Sequence, residues 1–194
     1  MMKINRIQLV LTIIALMGIV NLFSQEKVIV KESDFDKEIK KNTYFPLATS
    51  EKKIAWKNTY YFEKIDGFKT INGKEYTIRT EKWESGRVKT SYLREEEGIV
   101  YLYEVCCNIE TIVVDKKYIR GKSWEKANKK VKYKVMTLAG RLKTPYNKYN
   151  NLLVISEKHL RNTYKLYYKK GFGYVGATRK GILISHVIPT KEKE

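Results

Sequence analysis

Histidine and cysteine are almost missing from this 194-residue chain, which has two of each: His159, His186, Cys106 and Cys107. That scarcity removes most of the raw material for nucleophile–base pairs and for metal cages. Adjacent cysteines lack the spacing that turns two thiolates toward one zinc ion, and on a strand they point to opposite faces. Neither a metal knuckle nor a disulfide framework is therefore expected. Arginine is scarce as well, eight of the 39 basic residues, and arginine is the side chain that grips phosphate in a bidentate way. The formal net charge of +18 thus reads as a lysine-rich solubilising face rather than a specific nucleic-acid site. Long amphipathic helical patterns are missing too. Carboxylates offer little chemistry, because Glu95, Glu96 and Glu97 stand in a row and repel one another as solvated turn residues would. Their pattern also lacks the alternating Asp and Asn that calcium requires. No cofactor and no metal is expected.

What is present begins with an address. Lys3 and Arg6 precede an uncharged apolar run from Leu9 to Phe23, followed by Ser24 and Gln25. The run is shorter than the ~20 residues of a membrane span, so residues 1–24 read as a secretory signal peptide, with no transmembrane helix retained. No cysteine lies near the cleavage point, which excludes the lipid-modified form of bacterial export. Residues 25–43 are charge-rich and read as a tether, with Ser33 placed to cap a short helix over Asp34 to Lys41. Residues 44–189 are the size of a single domain that buries its own core, and 190–194 form a charged tail.

Within 44–189 apolar and polar residues alternate in short runs broken by turn residues, the pattern of antiparallel strands. Asn72-Gly73 between Phe68–Ile71 and Glu75–Thr80 is a two-residue hairpin signal. Glu95 to Gly98 suits a longer acidic loop between Arg87–Arg94 and Ile99–Val105. The latter strand is apolar on both faces, as a central strand would be. Ala55 to Phe62 reads as one aromatic strand, and Ser123 is placed to cap a helix through Lys130. The fold class is mainly β: a curved antiparallel sheet or incomplete barrel of nine or ten strands, with a short N-terminal helix or tether.

Gly171, Gly173 and Gly176 match the spacing GxGxxG, which elsewhere cradles a dinucleotide pyrophosphate. The motif needs a following helix to supply a dipole, and here a β-branched run from Ile182 to Ile188 follows instead. These glycines turn one strand into the next.

Several short motifs keep a recognisable order: Tyr44-Phe45-Pro46-Leu47, Trp56 to Tyr60, Ile119 to Trp124, Thr144-Pro145, and Tyr167 to Val175 with its Lys-Gly-x-Gly turn. In that order the chain resembles a broad group of uncharacterised secreted bacterial β-sheet proteins. Many of that group carry a lipid-modified cysteine that this chain lacks. The resemblance implies a curved antiparallel sheet, an incomplete barrel like that of lipoprotein carriers, exported to the envelope and without an established activity.

Fifteen tyrosines against six phenylalanines mark surfaces apolar in body and wet at the tip. Much of this is strand propensity and cross-strand pairing. The functional expectation is one sheet face built from Tyr101, Tyr103, Tyr133, Tyr164 and Tyr168 with His186, which falls on the face of Ile182 and Ile184. Such a face suits an apolar or amphipathic ligand, a lipid or glycan, or an envelope protein partner, with no specific nucleic acid. This is the expectation of a non-enzymatic exported protein in the periplasm, at the outer membrane or outside the cell. Two alternatives stand beside it. One is a hydrolase-like site near Cys107 and His186, and the other is attachment of a lysine face to anionic lipid or polysaccharide.

Overall fold

The alternation read above resolves into strands with unusually little else. The computed structural model describes residues 43–47, 51–127 and 129–189, and among them there is no helix. The expected signal peptide, the capped helix over Asp34 to Lys41 and the tail at 190–194 lie outside the described residues. The strands are β1 (Lys52–Trp56), β2 (Thr59–Ile71), β3 (Lys74–Trp83), β4 (Val88–Glu96), β5 (Ile99–Glu104), β6 (Ile109–Asp115), β7 (Ser123–Glu125), β8 (Lys132–Lys143), β9 (Lys148–Lys158), β10 (Thr163–Lys169), β11 (Gly173–Arg179) and β12 (Ile182–Ile188).

They form one antiparallel sheet in the order β6-β5-β4-β3-β2-β1-β12-β11-β10-β9-β8-β7. Sequence neighbours pair throughout, except that β1 joins β12 through pairs such as Ile54 with Val187. The free edges are therefore β6 and β7, which follow one another in the chain. They meet through side chains instead of a ladder: Trp124 Nε1 donates to the Val113 carbonyl at 3.2 Å, and Lys122 pairs with Asp115. Val114, Val131, Tyr133, Val135, Leu153 and Phe45 share one buried core. The result is a nearly closed barrel with a side-chain seam.

Twelve strands replace the nine or ten expected, for local reasons. Lys57, at φ +54°, breaks the single aromatic strand expected over Ala55–Phe62 into β1 and β2. The glycine turn after Lys169 leads into a further strand, β11, which carries Gly173 and Gly176. Ser123 begins β7 and does not cap a helix, because Trp124 stacks on Tyr133 of the neighbouring strand. β5 is not central: it stands next to the edge strand β6. Asn72 and Gly73 form the expected tight turn, both at positive φ, between the paired Ile71 and Lys74. The acidic loop is equally tight, since Glu95 and Glu96 belong to β4 and only Glu97 and Gly98 turn.

Antiparallel alternation puts the β1/β2, β3/β4, β5/β6, β7/β8, β9/β10 and β11/β12 turns at one end of the barrel. The other end is corked by Thr43–Leu47. Phe45 is buried there against Tyr168, and the Gly171 amide donates to the Thr43 carbonyl at 2.8 Å. A second core lies on the outside. Three register shifts in the β8–β9 ladder, at Val135/Thr137, Thr137/Gly140 and Gly140/Leu142, bend this long hairpin. Leu142 thereby sits over Gly176, and Tyr146 at the hairpin tip meets the ring of His186. Leu142, Leu152, Val154, Tyr167 and Val175 are buried together beneath the arm.

Candidate functional site

A strand places alternate residues on opposite faces, so the register of β1 to β4 decides what the barrel encloses. Lys52 pairs across β1–β2 with Glu63, Glu63 across β2–β3 with Glu81, and Glu81 across β3–β4 with Lys89. One row of the inner wall therefore reads cation, anion, anion, cation. Arg79 stands one step along β3 toward the cork, opposite Ile65 and Ser91. Two facing glutamates repel when nothing lies between them, and here the flanking cations compensate. Lys89 bonds Glu81 at 2.9 Å, while Arg79 approaches Glu63 at 3.8 Å, an ion pair without a short hydrogen bond.

Glu63, Arg79, Glu81 and Lys89 line a cavity of about 510 Å³, within the size range of small-molecule sites, while Lys52 lies beside it at the cork end with Phe45 and Gly173. The cavity runs from Phe45 at the cork to Lys89, Glu104, Val105, Lys126 and Glu157 at the opposite end. Tyr61, Tyr133, Tyr168 and Tyr174 form much of the wall between. Val105 is 67% exposed, and it marks the mouth. Nε of Arg79 is buried and has no protein partner, and neither has Nε1 of Trp83. The Tyr174 hydroxyl lies beside Ser185 Oγ without reaching hydrogen-bond geometry. Unpaired buried donors are uncommon in native interiors, and of these Arg79 and Tyr174 line the cavity.

Burial governs ionisation here. Desolvation lowers the Lys52 ammonium to about 8, against an opposing pull from Glu63, and Lys52 also donates to the Phe172 carbonyl at the cork end. The phenols of Tyr61, Tyr133, Tyr168 and Tyr174 are all pushed up, chiefly by desolvation. They are neutral donors across physiological pH. The wall thus offers fixed charge, neutral hydroxyls and ring faces together, and it holds no paired nucleophile and base.

The structure divides the six residues singled out in the sequence. Tyr133 and Tyr168 line the cavity, and Tyr103 borders it near the mouth. Tyr164 shares their face of its strand and packs on Trp56 near the mouth, where His159 also meets it and bonds Glu157 at 2.8 Å. Tyr101 lies on the outside under Arg94, and the Tyr103 hydroxyl donates to Asn108 at 2.6 Å. His186 lies outside as well, beneath Tyr146, where desolvation lowers its pKa. Cys107 is exposed in the β5/β6 turn, and four strands separate β5 from the strand of His186. The sequence reading missed Lys52, Glu63, Arg79 and Glu81. Their signal is an inverted alternation in β3, where charges and Trp83 share one face while Ile78 shares the other with Thr80 and Lys82.

No protein family description and no curated protein matches this chain. Among solved structures, it is similar to the crystal structure of a protein provisionally described as a lipoprotein from Parabacteroides distasonis ATCC 8503. The similarity has 10% identity and a TM-score of 0.39, covering 76% of this chain and 96% of that one. A likeness at that score carries no argument about function.

Proposed function

We propose that this is an exported envelope protein that binds a small amphipathic ligand in the lumen of its barrel and performs no chemistry on it. The observation that carries the reading is the cavity of about 510 Å³, in which tyrosine faces alternate with Glu63, Glu81 and Lys89 and with Arg79, whose buried Nε has no protein partner. An acyl chain alone would desolvate those ion pairs and leave Nε of Arg79 unsatisfied, which is costly. A ligand with polar groups at one end and a flat or aliphatic body would satisfy both halves of the wall. Export rests on the sequence of residues 1–24.

Native mass spectrometry of the protein taken gently from its own host's envelope fraction tests this directly. The expected result is a reproducible mass above that of the chain alone. It should be lost on denaturation and weakened by Arg79→Met or Tyr168→Ala in protein that still folds. A clean mass for the chain alone, in several preparations and salt concentrations, would overturn the reading.

A further inference from the structure

Most of the large exposed aliphatic residues lie at one end of the barrel. Val88, Val105, Ile109, Leu160 and Ile182 are 58%, 67%, 41%, 94% and 70% exposed. All five belong to or border the β3/β4, β5/β6, β9/β10 and β11/β12 turns, at the mouth end of the barrel. Ile119, 65% exposed, lies instead in the β6/β7 connection at the cork end, and Leu138, 41% exposed, lies within β8. Single exposed aliphatics need no explanation, but a ring of them around an opening marks a contact surface.

Charge identifies the partner. Lys57, Arg161 and Lys180 occupy the β1/β2, β9/β10 and β11/β12 turns, all exposed, and no carboxylate pairs with them among the described residues. The carboxylates of this end are engaged: Glu84 accepts from Thr59, Glu157 from His159, and Glu104 faces Lys126 at 4.0 Å. The rim therefore presents aliphatic tips with unpaired cations between them. A second copy of the chain would set like charges against each other. An anionic bilayer surface accepts both features, with side chains reaching into the headgroup region and cations held by lipid phosphates. We propose that the mouth end docks on anionic lipid, with the lumen facing the bilayer. The surface stands on its own evidence of exposure and charge, independent of whether the lumen holds a ligand.

The test uses the full chain carrying Leu160→Trp or, as the control at the other end, Ile119→Trp. Both positions are exposed, so neither change disturbs the core. The variants are mixed with phosphatidylcholine vesicles, with or without phosphatidylglycerol, in which some acyl chains are brominated to quench nearby indoles. Docking predicts quenching of the Leu160→Trp variant in the anionic vesicles and none beyond background for Ile119→Trp. Because the two share every other feature, membrane attachment by any other part of the chain cannot mimic the difference. Replacing both Arg161 and Lys180 by serine should lower partitioning roughly thirtyfold, at about fivefold for each cation near an anionic surface. Equal quenching at the two positions, or partitioning unmoved by the serine changes, would overturn the proposal. The ligand reading is scored separately by mass, so either can fail alone.

Discussion

Glu110, on the outer face of β6, accepts from both Nε and Nη2 of Arg94, from the Tyr76 hydroxyl at 2.8 Å and from Lys74 at 3.1 Å. The Arg94 bonds do most to hold its carboxyl down at about 2, from an ordinary 4.5. A carboxylate whose pKa is lowered on folding stabilises the fold above its unfolded value, and the contribution is lost as pH falls through the folded one. Glu110→Gln should therefore cost about 3 kcal/mol near neutrality, shrinking to little near pH 2. Urea denaturation of the two proteins at both pH values checks it. Lys52 runs the other way. Its ammonium is lowered from 10.5 to about 8, so the unfolded chain binds the extra proton between those values. Stability contributed by this site rises as pH climbs from about 8 to 10.5, and Lys52→Met should flatten that rise.

Two glycines separate strain from collision at the level of the element. Gly73 holds φ +75° in the β2/β3 turn with open space where a Cβ would stand. Gly73→Ala should cost about 1–2 kcal/mol, the price of a left-handed conformation alone. Gly176, in β11, has no such conformation, but its Cβ would stand 2.6 Å from the Ser185 carbonyl oxygen and 2.9 Å from Leu142 Cδ2. Backbone cannot yield as a side-chain tip does, so Gly176→Ala should cost about 3 kcal/mol and loosen the arm over β11. Leu142→Ala should lose about 2–4 kcal/mol by opening the outer core. Thermal denaturation ranks the three. Near-equal losses for the two glycine changes would show that the arm does not press on β11.

For the whole molecule, the cork and the seam decide whether a lumen exists. β6 and β7 share no ladder, so closure rests on Trp124, on the Lys122–Asp115 pair and on the core around Val114 and Val131. Phe45 stands at the centre of the corked end, against Tyr168 and under the Arg79 guanidinium at 5.7 Å. Phe45→Ala should cost about 3–5 kcal/mol and open the lumen at both ends. Hydrogen exchange would then show lost protection in β10 and β3 before the rest of the barrel unfolds. Protection unchanged there would mean that the cork is ornamental to the barrel.

The short-range features were legible because short-range forces set them. Alternation gave the β class, Asn72-Gly73 announced its turn through the positive φ both residues tolerate, and the run from Ile182 to Ile188 ruled out a nucleotide helix after the three glycines. The inside of the barrel was not legible. Glu63, Arg79 and Glu81 lie on the enclosed face while Tyr101 lies outside under Arg94, so hydrophobicity along a strand does not say which face is in. That assignment depends on cross-strand register, which sets Lys52 against Glu63 and Glu81 against Lys89 and so makes buried charge tolerable. By itself the sequence determined what the elements are, since each is a matter of a few neighbouring residues. The tertiary structure alone decided which face they enclose and which end stays open, because pairing between β1 and β12 and the cork at Phe45 join residues more than a hundred positions apart.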